Sequence, residues 1–251
     1  MKAIILAAGM NSRLKNAIDV PKCLLHFGNQ TLLERQIEEL MKVGFLKNDI
    51  FVVVGYKHDM IRKVHDNVIM NYYYDKYDNA YSAYIALDYL FNSVIEEDED
   101  IYIFDGDLIY DTRLIQQIMS YKKPNVLVNR EIPYSTSLKD EISIINQDNK
   151  IEKIQIPSTS NPLDSDFFGK KLFSYCGIAK LSSYVARDLL ARLKGKIQGW
   201  YTVPLVESVN VNDFYSFAIP KSLKFYFDVD TMEDFQKLKI ISSFGDKDGT
   251  E

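Results

Sequence analysis

Residues 2–14 read Lys2-Ala3-Ile4-Ile5-Leu6-Ala7-Ala8-Gly9-Met10-Asn11-Ser12-Arg13-Leu14, and Pro21-Lys22 follows shortly after. The apolar start predicts a buried strand over Lys2–Ala7. Small residues directly after such a strand let the backbone approach a ligand closely, with N–H groups available to a phosphate or a flat base. Arg13 can fork onto phosphate oxygens, whereas Lys22 supplies a compact point charge. The stretch predicts a phosphate-binding turn, and an ordinary strand end with two surface cations is the alternative.

The composition is that of a globular protein. The chain has 251 residues, of which 47% are hydrophobic and 26% charged, with a formal net charge of −5. This charge argues against a surface that binds nucleic acid along its whole length. Two cysteines cannot build a disulfide framework, which favours a reducing compartment. No stretch approaches the roughly 20 apolar residues that span a bilayer. We therefore expect a cytoplasmic location without membrane insertion.

The first half alternates short β-branched segments with amphipathic ones. We predict strands over residues 2–7, 50–54, 68–74 and 100–104, and helices over residues 31–43, 60–66 and 80–91. This βαβαβ order predicts an α/β fold in which helices cover both faces of a mostly parallel central sheet.

The second half has a different pattern. We predict a strand over 125–130, a hairpin over 141–156, an exposed loop over 158–171 and a strand through Gly177. A helix over 182–193, a strand over 223–229 and a helix over 232–239 follow. These segments predict a small antiparallel elaboration of a single domain over 1–251. Residues 1–130 would bind a nucleotide, residues 131–244 would bind an acceptor, and residues 245–251 would form a flexible tail.

Two carboxylates follow the fourth predicted strand, in Asp105-Gly106-Asp107. Ligands of open α/β sheets gather at the carboxyl ends of the strands. Carboxylate oxygens suit Mg²⁺, which keeps several waters and bridges to substrate phosphates. The sequence thus predicts a Mg²⁺ site here, although an Asp-Gly-Asp can also be an ordinary turn.

A second acidic pair lies at a strand end near the C-terminus, in Phe227-Asp228-Val229-Asp230-Thr231. Strand alternation places Asp228 and Asp230 on one face. A helix is predicted to follow, so Asp230 or Thr231 could instead cap it.

The residues of the first stretch resemble the signature of the nucleotidyltransferase superfamily that includes sugar-nucleotide pyrophosphorylases and small-molecule cytidylyltransferases. Asn11 stands where these proteins usually have glycine, and Asn tolerates left-handed backbone geometry better than most residues. The resemblance implies a Rossmann-like, glycosyltransferase-A-type sheet sandwiched by helices. It implies catalytic roles for Lys22 and Arg13 and a Mg²⁺ cofactor on Asp107 and Asp230, with Asp228 an open alternative to Asp230. It also implies nucleotide contacts by Leu6, Ala8, Gly9, Met10, Asn11, Ser12, Arg13, Lys22 and Asp105.

The segment Asn79-Ala80-Tyr81-Ser82 resembles the phosphocholine, inositol-phosphate and 2-aminoethylphosphonate cytidylyltransferases. An amide side chain can satisfy both the donor and the acceptor edge of a base. The resemblance implies CTP as donor, with Asn79 and Ser82 among the nucleotide-binding residues, although either could simply cap a helix. The expected reaction transfers CMP to a small phosphate or phosphonate acceptor, such as phosphocholine or aminoethylphosphonate. A sugar-1-phosphate nucleotidyltransferase using UTP or dTTP, and a glycosyltransferase of similar fold, are the alternatives.

The acceptor itself has no specific motif. We expect its pocket in the second half of the chain, and a homodimer stays open. Tyrosines crowd residues 72–89, and we interpret them as alternating core and surface positions rather than a box for a quaternary amine. The candidate acceptor residues are Arg130, Glu141, Tyr175, Gly177, Trp200 and Tyr201.

Overall fold

A computed structural model describes residues 1–10, 19–95, 98–110, 112–133, 141–158, 160–223 and 225–245. The strands are β1 Lys2–Leu6, β2 His26–Phe27, β3 Gln30–Thr31, β4 Ile50–Val54, β5 Val68–Met70, β6 Ile101–Asp105, β7 Leu108–Tyr110, β8 Val126–Ile132, β9 Ile142–Ile145, β10 Ile151–Gln155, β11 Leu172–Leu181, β12 Tyr215–Ala218 and β13 Phe225–Asp228. The helices are α1 Leu32–Lys42, α2 His58–Arg62, α3 Asn79–Ser93, α4 Thr112–Ser120, α5 Ser183–Lys194, α6 Thr202–Val209 and α7 Met232–Gly245.

The central sheet is parallel where the sequence predicted it. Its strands run in the order β10-β9-β11-β6-β1-β4-β5, with β8 and β12 attached beside β11. The neighbours β6, β1, β4 and β5 pair in parallel. Their carboxyl ends therefore meet at one edge. The predicted fold class is confirmed, including the antiparallel part formed by β8, β9, β10 and β11.

Alternate residues of β1 face two separate hydrophobic layers. Ile4 and Leu6 belong to the layer that includes α3, α5 and α6, whereas Ala3 and Ile5 belong to the layer that includes α1 and α4. Because successive strand residues point to opposite faces, β1 contributes to both cores and is shielded from water on each.

The first helix shows how sequence sets a boundary. The Oγ1 atom of Thr31 accepts from the backbone N–H of Glu34 at 3.2 Å, and the Glu34 carboxylate accepts from the Thr31 N–H at 2.8 Å. This capping box satisfies two backbone donors that the first turn leaves without helical partners. The buried residues Leu33, Ile37 and Leu40 form one apolar stripe that faces the sheet.

Several predicted elements differ in length from the observed ones, and some observed elements were not predicted. The strand predicted over residues 68–74 ends at Met70. There Oδ1 of Asn71 accepts from the N–H of Tyr73 at 2.8 Å and turns the chain. The helix predicted over residues 60–66 begins at His58 and ends at Arg62. The elements that were not predicted from the sequence are β2, β3, β7, α4, α6 and β12.

The predicted loop over 158–171 contains a short 3₁₀ turn, Ser165–Phe167, whose Phe167 is fully buried. Most of the predicted tail lies outside the described residues, and the division of the domain at residue 130 stays a prediction. Among the described residues, no helix is both long and apolar enough to cross a membrane.

Candidate active site

A cleft of about 890 Å³ opens at the carboxyl ends of β1 and β6. Of the predicted nucleotide-binding residues, the structure brings Leu6, Ala8, Gly9, Met10, Lys22, Asn79, Ser82 and Asp105 to its lining. Both predicted metal ligands, Asp107 and Asp230, line it too. Predicted residues Asn11, Ser12 and Arg13 lie outside the described residues.

The turn after β6 is held tightly against the end of β1. The N–H of Gly106 donates to the carbonyl of Leu6 at 3.0 Å. A Cβ atom at position 106 would lie 2.6 Å from that same oxygen, so only glycine fits here without a shift. The two carboxylates that flank Gly106 are thereby placed beside the small residues that follow β1.

Lys22 lies where these elements converge. A 3₁₀ turn, Lys22–Leu24, starts directly after Pro21, and the carbonyl of Lys22 accepts from the N–H of Leu25 at 2.9 Å. The ammonium of Lys22 donates to Oδ2 of Asp107 at 3.2 Å and also to the carboxylate of Asp230. Burial disfavours the charged ammonium, but the two carboxylates outweigh this effect and raise the pKa of Lys22.

Asp230 reaches the cleft because a different residue caps α7. The Oγ1 atom of Thr231 accepts from the N–H of Asp234 at 3.2 Å, and Oδ2 of Asp234 accepts from the N–H of Thr231 at 2.8 Å. The N–H of Val229 donates to the carbonyl of Asp107 at 3.3 Å and fixes the end of β13 beside that loop. The cap therefore lies at Thr231, which leaves the carboxylate of Asp230 directed at Lys22.

The acidic groups of the cleft raise one another's pKa. Burial raises the pKa of Asp105 well above its usual range, and the carboxylates of Asp107 and Glu141 add to the effect. Burial also raises the pKa of Asp107, which Lys22 partly counteracts. At Asp228, burial and the neighbouring Asp107 and Asp230 raise the pKa to about 6. This concentration of negative charge is complementary to a cation.

The carboxylate donors of the cleft are of the chemical type that Mg²⁺ prefers. Two hard carboxylate oxygens converge on one cation, the Lys22 ammonium. In the part of the chain that the structure describes, no cluster of three or more His, Cys, Asp or Glu could hold a metal by itself. Mg²⁺ does not need such a cage, because it is commonly held by one or two carboxylates together with phosphates and water.

The far side of the cleft is built by β11 and by the residues before α6. All six candidate acceptor residues belong to the site region, and five of them line the cleft: Arg130, Glu141, Tyr175, Gly177 and Trp200. The sixth, Tyr201, is fully buried behind them, and its hydroxyl lies 3.0 Å from that of Tyr175. Burial raises the pKa of both phenols, with a further contribution from the charge of Asp105.

A bulge in β11 makes room for Asp105. The pairing of β11 with β8 shifts register between Tyr175 and Ala179, and Gly177 within this bulge has φ +70°. A Cβ atom at Gly177 would lie 2.5 Å from Oδ2 of Asp105. Glycine is thus required by both the backbone conformation and the space.

Two buried polar residues of the site, Gln36 behind the cleft and Asn71 in its lining, were not predicted from the sequence. Gln36 is buried in α1, and its Nε2 donates to the carbonyl of Asp105 at 3.2 Å. Asn71 is also buried, and its Nδ2 donates to Oγ of Ser82 at 3.0 Å. Gln36 interrupts the apolar stripe of α1 between Leu33 and Leu40. This interruption is visible in the sequence and could have marked Gln36 as a buried polar residue.

Comparison with known proteins finds a matching family and several similar proteins. Residues 3–132, that is 130 of the 251, match the family of MobA-like NTP transferase domains. A similar protein is the CTP:phosphoglutamine cytidylyltransferase of Campylobacter jejuni, with 32% identity over 51% of this chain and 52% of that protein. The match thus spans about half the length of that relative.

Two further proteins are similar over most of the chain. The choline-phosphate cytidylyltransferase of Haemophilus influenzae is 27% identical over 84% of this chain and 86% of its own. The solved structure of the CTP:phosphocholine cytidylyltransferase from Streptococcus pneumoniae superposes with a TM-score of 0.71 at 20% identity, over 96% of this chain and 98% of its own. That superposition shows a shared fold.

Proposed function

Since the chain belongs to the family of MobA-like NTP transferase domains, we propose that it transfers CMP from CTP to a small phosphorylated or phosphonate acceptor and releases pyrophosphate. The observation that carries this proposal is the Lys22 ammonium, which lies between Asp107 and Asp230 at the edge where β1 and β6 end. The similar proteins from Campylobacter jejuni and Haemophilus influenzae are both cytidylyltransferases, which supports CTP as the donor.

The reaction is an in-line displacement at the α-phosphorus of CTP. An oxygen of the acceptor forms the new P–O bond, the bond to the β-phosphate breaks, and pyrophosphate leaves with the electron pair. Such an acceptor is already ionised near neutral pH, so no general base is needed. Catalysis then consists of positioning and charge neutralisation.

Lys22, Arg13, Asp107 and Asp230 each have a role in this scheme. Lys22 and Arg13 bind the phosphates of the nucleotide, and the small residues after β1 let the nucleotide approach the sheet edge. Asp107 and Asp230 would hold Mg²⁺, whose charge would offset the negative charge that develops on the phosphates. Asp105, behind them, packs against Gly177 and supports this arrangement.

The acceptor would bind on the side formed by β11 and the residues before α6. Arg130 offers the cation that an acceptor phosphate requires, while Glu141 and Trp200 offer an anionic and an aromatic surface. Phosphocholine and aminoethylphosphonate combine a phosphorus oxyanion with a cationic group and fit these surfaces.

A pyrophosphate-release screen tests the proposal. CTP, UTP, dTTP, ATP and GTP are each combined with phosphocholine, aminoethylphosphonate, inositol phosphate and glucose 1-phosphate, with and without Mg²⁺. We expect turnover with CTP and a phosphorylated acceptor to exceed that with UTP or ATP. Equal use of UTP would contradict the cytidylyltransferase assignment. Turnover with dTTP or UTP and glucose 1-phosphate alone would favour a sugar-nucleotide enzyme. Sugar transfer from added UDP-glucose, without pyrophosphate release, would favour a glycosyltransferase.

A further inference from the structure

The residues before α6 are fastened to the start of α3 by two hydrogen bonds. The N–H of Ala80 donates to the carbonyl of Gly199 at 3.1 Å, and the N–H of Tyr201 donates to Oδ1 of Asn79 at 2.9 Å. The second bond joins residues that are 122 positions apart in the chain. It therefore ties the nucleotide side of the cleft to its acceptor side.

Trp200 is the residue between these two attachments. Its side chain lines the cleft and is 48% exposed, although a tryptophan normally buries most of its surface. Its neighbour Tyr201 is fully buried, and its hydroxyl is hydrogen-bonded to the hydroxyl of Tyr175. The backbone on both sides of Trp200 is thus fixed, and the indole is presented to the cleft.

The bond to Tyr201 also occupies the amide oxygen of Asn79. Asn79 is the first residue of α3, and the residue at the N-cap position is Asp78, so Asn79 does not cap the helix. A base would have to be recognised by an amide whose acceptor atom already has a backbone partner. The geometry favours a role in which the oxygen holds Tyr201.

We propose that Asn79 is a positioning residue for the acceptor: its Oδ1 fixes the segment Gly199–Tyr201, so that the indole of Trp200 forms a wall for the part of the acceptor that carries no phosphate. This inference rests on the proposed function, because it assigns one wall of the same cleft to the acceptor. It gives Asn79 an effect on acceptor binding rather than on recognition of the base.

Kinetics of Asn79→Ala, Asn79→Asp, Trp200→Ala and the double Ala variant test the inference, using the acceptor that gives turnover in the screen. Loss of one hydrogen bond of ordinary strength should raise the acceptor KM about 3- to 10-fold in Asn79→Ala. The KM for CTP should stay within about twofold of wild type, because this change leaves the proposed phosphate contact at Lys22 intact. Asn79→Asp keeps an oxygen that accepts from Tyr201 and should restore most of the lost acceptor affinity. The double variant should be no worse than Trp200→Ala, since both changes remove the same wall.

Fluorescence gives a readout that does not require turnover. Trp200 is the only tryptophan in the sequence. Its quenching by acrylamide should increase in Asn79→Ala and stay near wild type in Asn79→Asp. If wild type released no pyrophosphate in any combination, the proposed function would be wrong, and the quenching comparison would still decide the role of Asn79. Unchanged quenching in Asn79→Ala would overturn the inference. A raised KM for CTP with an unchanged acceptor KM, or multiplicative effects in the double variant, would do the same.

Discussion

The Nζ atom of Lys22 lies 3.2 Å from Oδ2 of Asp107, a residue 85 positions further along the chain. Asp107 is joined to the end of β13 through its carbonyl, and Asp230 binds the same ammonium from there. Three distant segments therefore share one charged centre. Under the proposed function, the phosphates of a nucleotide would compete with the two carboxylates for the lysine.

We expect Lys22→Ala to lower kcat and kcat/KM together. Removing one preorganised electrostatic donor costs about 10²–10³-fold in rate elsewhere, and Lys22 is placed to act on charge that develops at the phosphates. Steady-state kinetics on the purified variant measures this, and circular dichroism serves as the folding control. Lys22→Arg should recover only part of the loss, because a planar guanidinium does not match a compact ammonium. A variant with normal kcat and only a raised KM would remove Lys22 from the catalytic residues.

We expect that Asp107→Asn and Asp230→Asn both weaken the binding of Mg²⁺. Each change removes one negative charge from the pair that would hold Mg²⁺ while nearly preserving shape. We expect Asp107→Asn to abolish turnover and Asp230→Asn to reduce it, with half-maximal activity at a higher Mg²⁺ concentration. A Mg²⁺ titration of activity measures the shift. The matched control is Glu233→Gln, which removes one negative charge from an exposed position of α7. Unchanged Mg²⁺ dependence in Asp230→Asn would show that Asp230 is not a ligand.

The sequence predicted that the residues after β1 and those after β6 meet at one sheet edge. This prediction needs only the short segments that follow each strand. Small residues follow β1 and a carboxylate pair follows β6, and neighbouring parallel strands place both at one edge. The return of β13 to this edge depends on pairing with β7, which has no local signature. Strand alternation alone therefore left Asp228 and Asp230 equivalent.

What distinguishes the two acids is the start of α7. Thr231 and Asp234 form a reciprocal cap, and this Thr-x-x-Asp spacing is visible in the sequence. From the sequence alone, either Asp230 or Thr231 could have been the cap. The structure assigns it to Thr231 and directs Asp230 at Lys22.

The missed elements have physical reasons of their own. Pro204 discourages a helix prediction, yet it lies in the first turn of α6, where backbone N–H groups lack helical partners in any case. Strand β12 is short, and it is defined by parallel pairing with β8. The hydrogen bond from the Tyr201 N–H to Asn79 could not be predicted from the sequence either, because it joins residues 122 positions apart.

Gly177→Ala should impair activity more than its backbone strain explains. The new Cβ atom would lie 2.5 Å from the Asp105 carboxylate. Gly169 provides the matched control, since it has the same φ of +70° and a Cβ atom added there would meet nothing within 4 Å. Both changes should cost about 1–2 kcal/mol of stability for the left-handed backbone. Only Gly177→Ala should also displace Asp105 and lower kcat. Thermal denaturation and steady-state kinetics on both variants separate the two effects, and equal kcat values would contradict the proposed contact.

Asp188 should contribute stability that depends on pH. Its Oδ2 accepts from Nε of Arg192 at 2.9 Å, from Oγ of Ser208 at 2.7 Å and from Nδ2 of Asn212 at 3.1 Å. These bonds, with that from Arg192 the largest, favour the charged carboxylate and lower the pKa of Asp188 below its ordinary value. A lowered folded-state pKa gives stability that is present above the unfolded-state pKa of about 4. This stability is lost as the pH falls through the folded-state pKa.

Asp188→Ala should accordingly lower the free energy of unfolding by about 1–3 kcal/mol at neutral pH, because it leaves the fully buried Ser208 hydroxyl without this acceptor. The difference from wild type should shrink as the pH falls below about 4, where protonation weakens the same bonds in the wild-type protein. Urea denaturation across this pH range measures both quantities, and Glu152→Gln, a change at an exposed position of β10, controls for the loss of one negative charge. A difference that stayed constant down to the acid limit would mean that the side chain acts through packing and not through its charge.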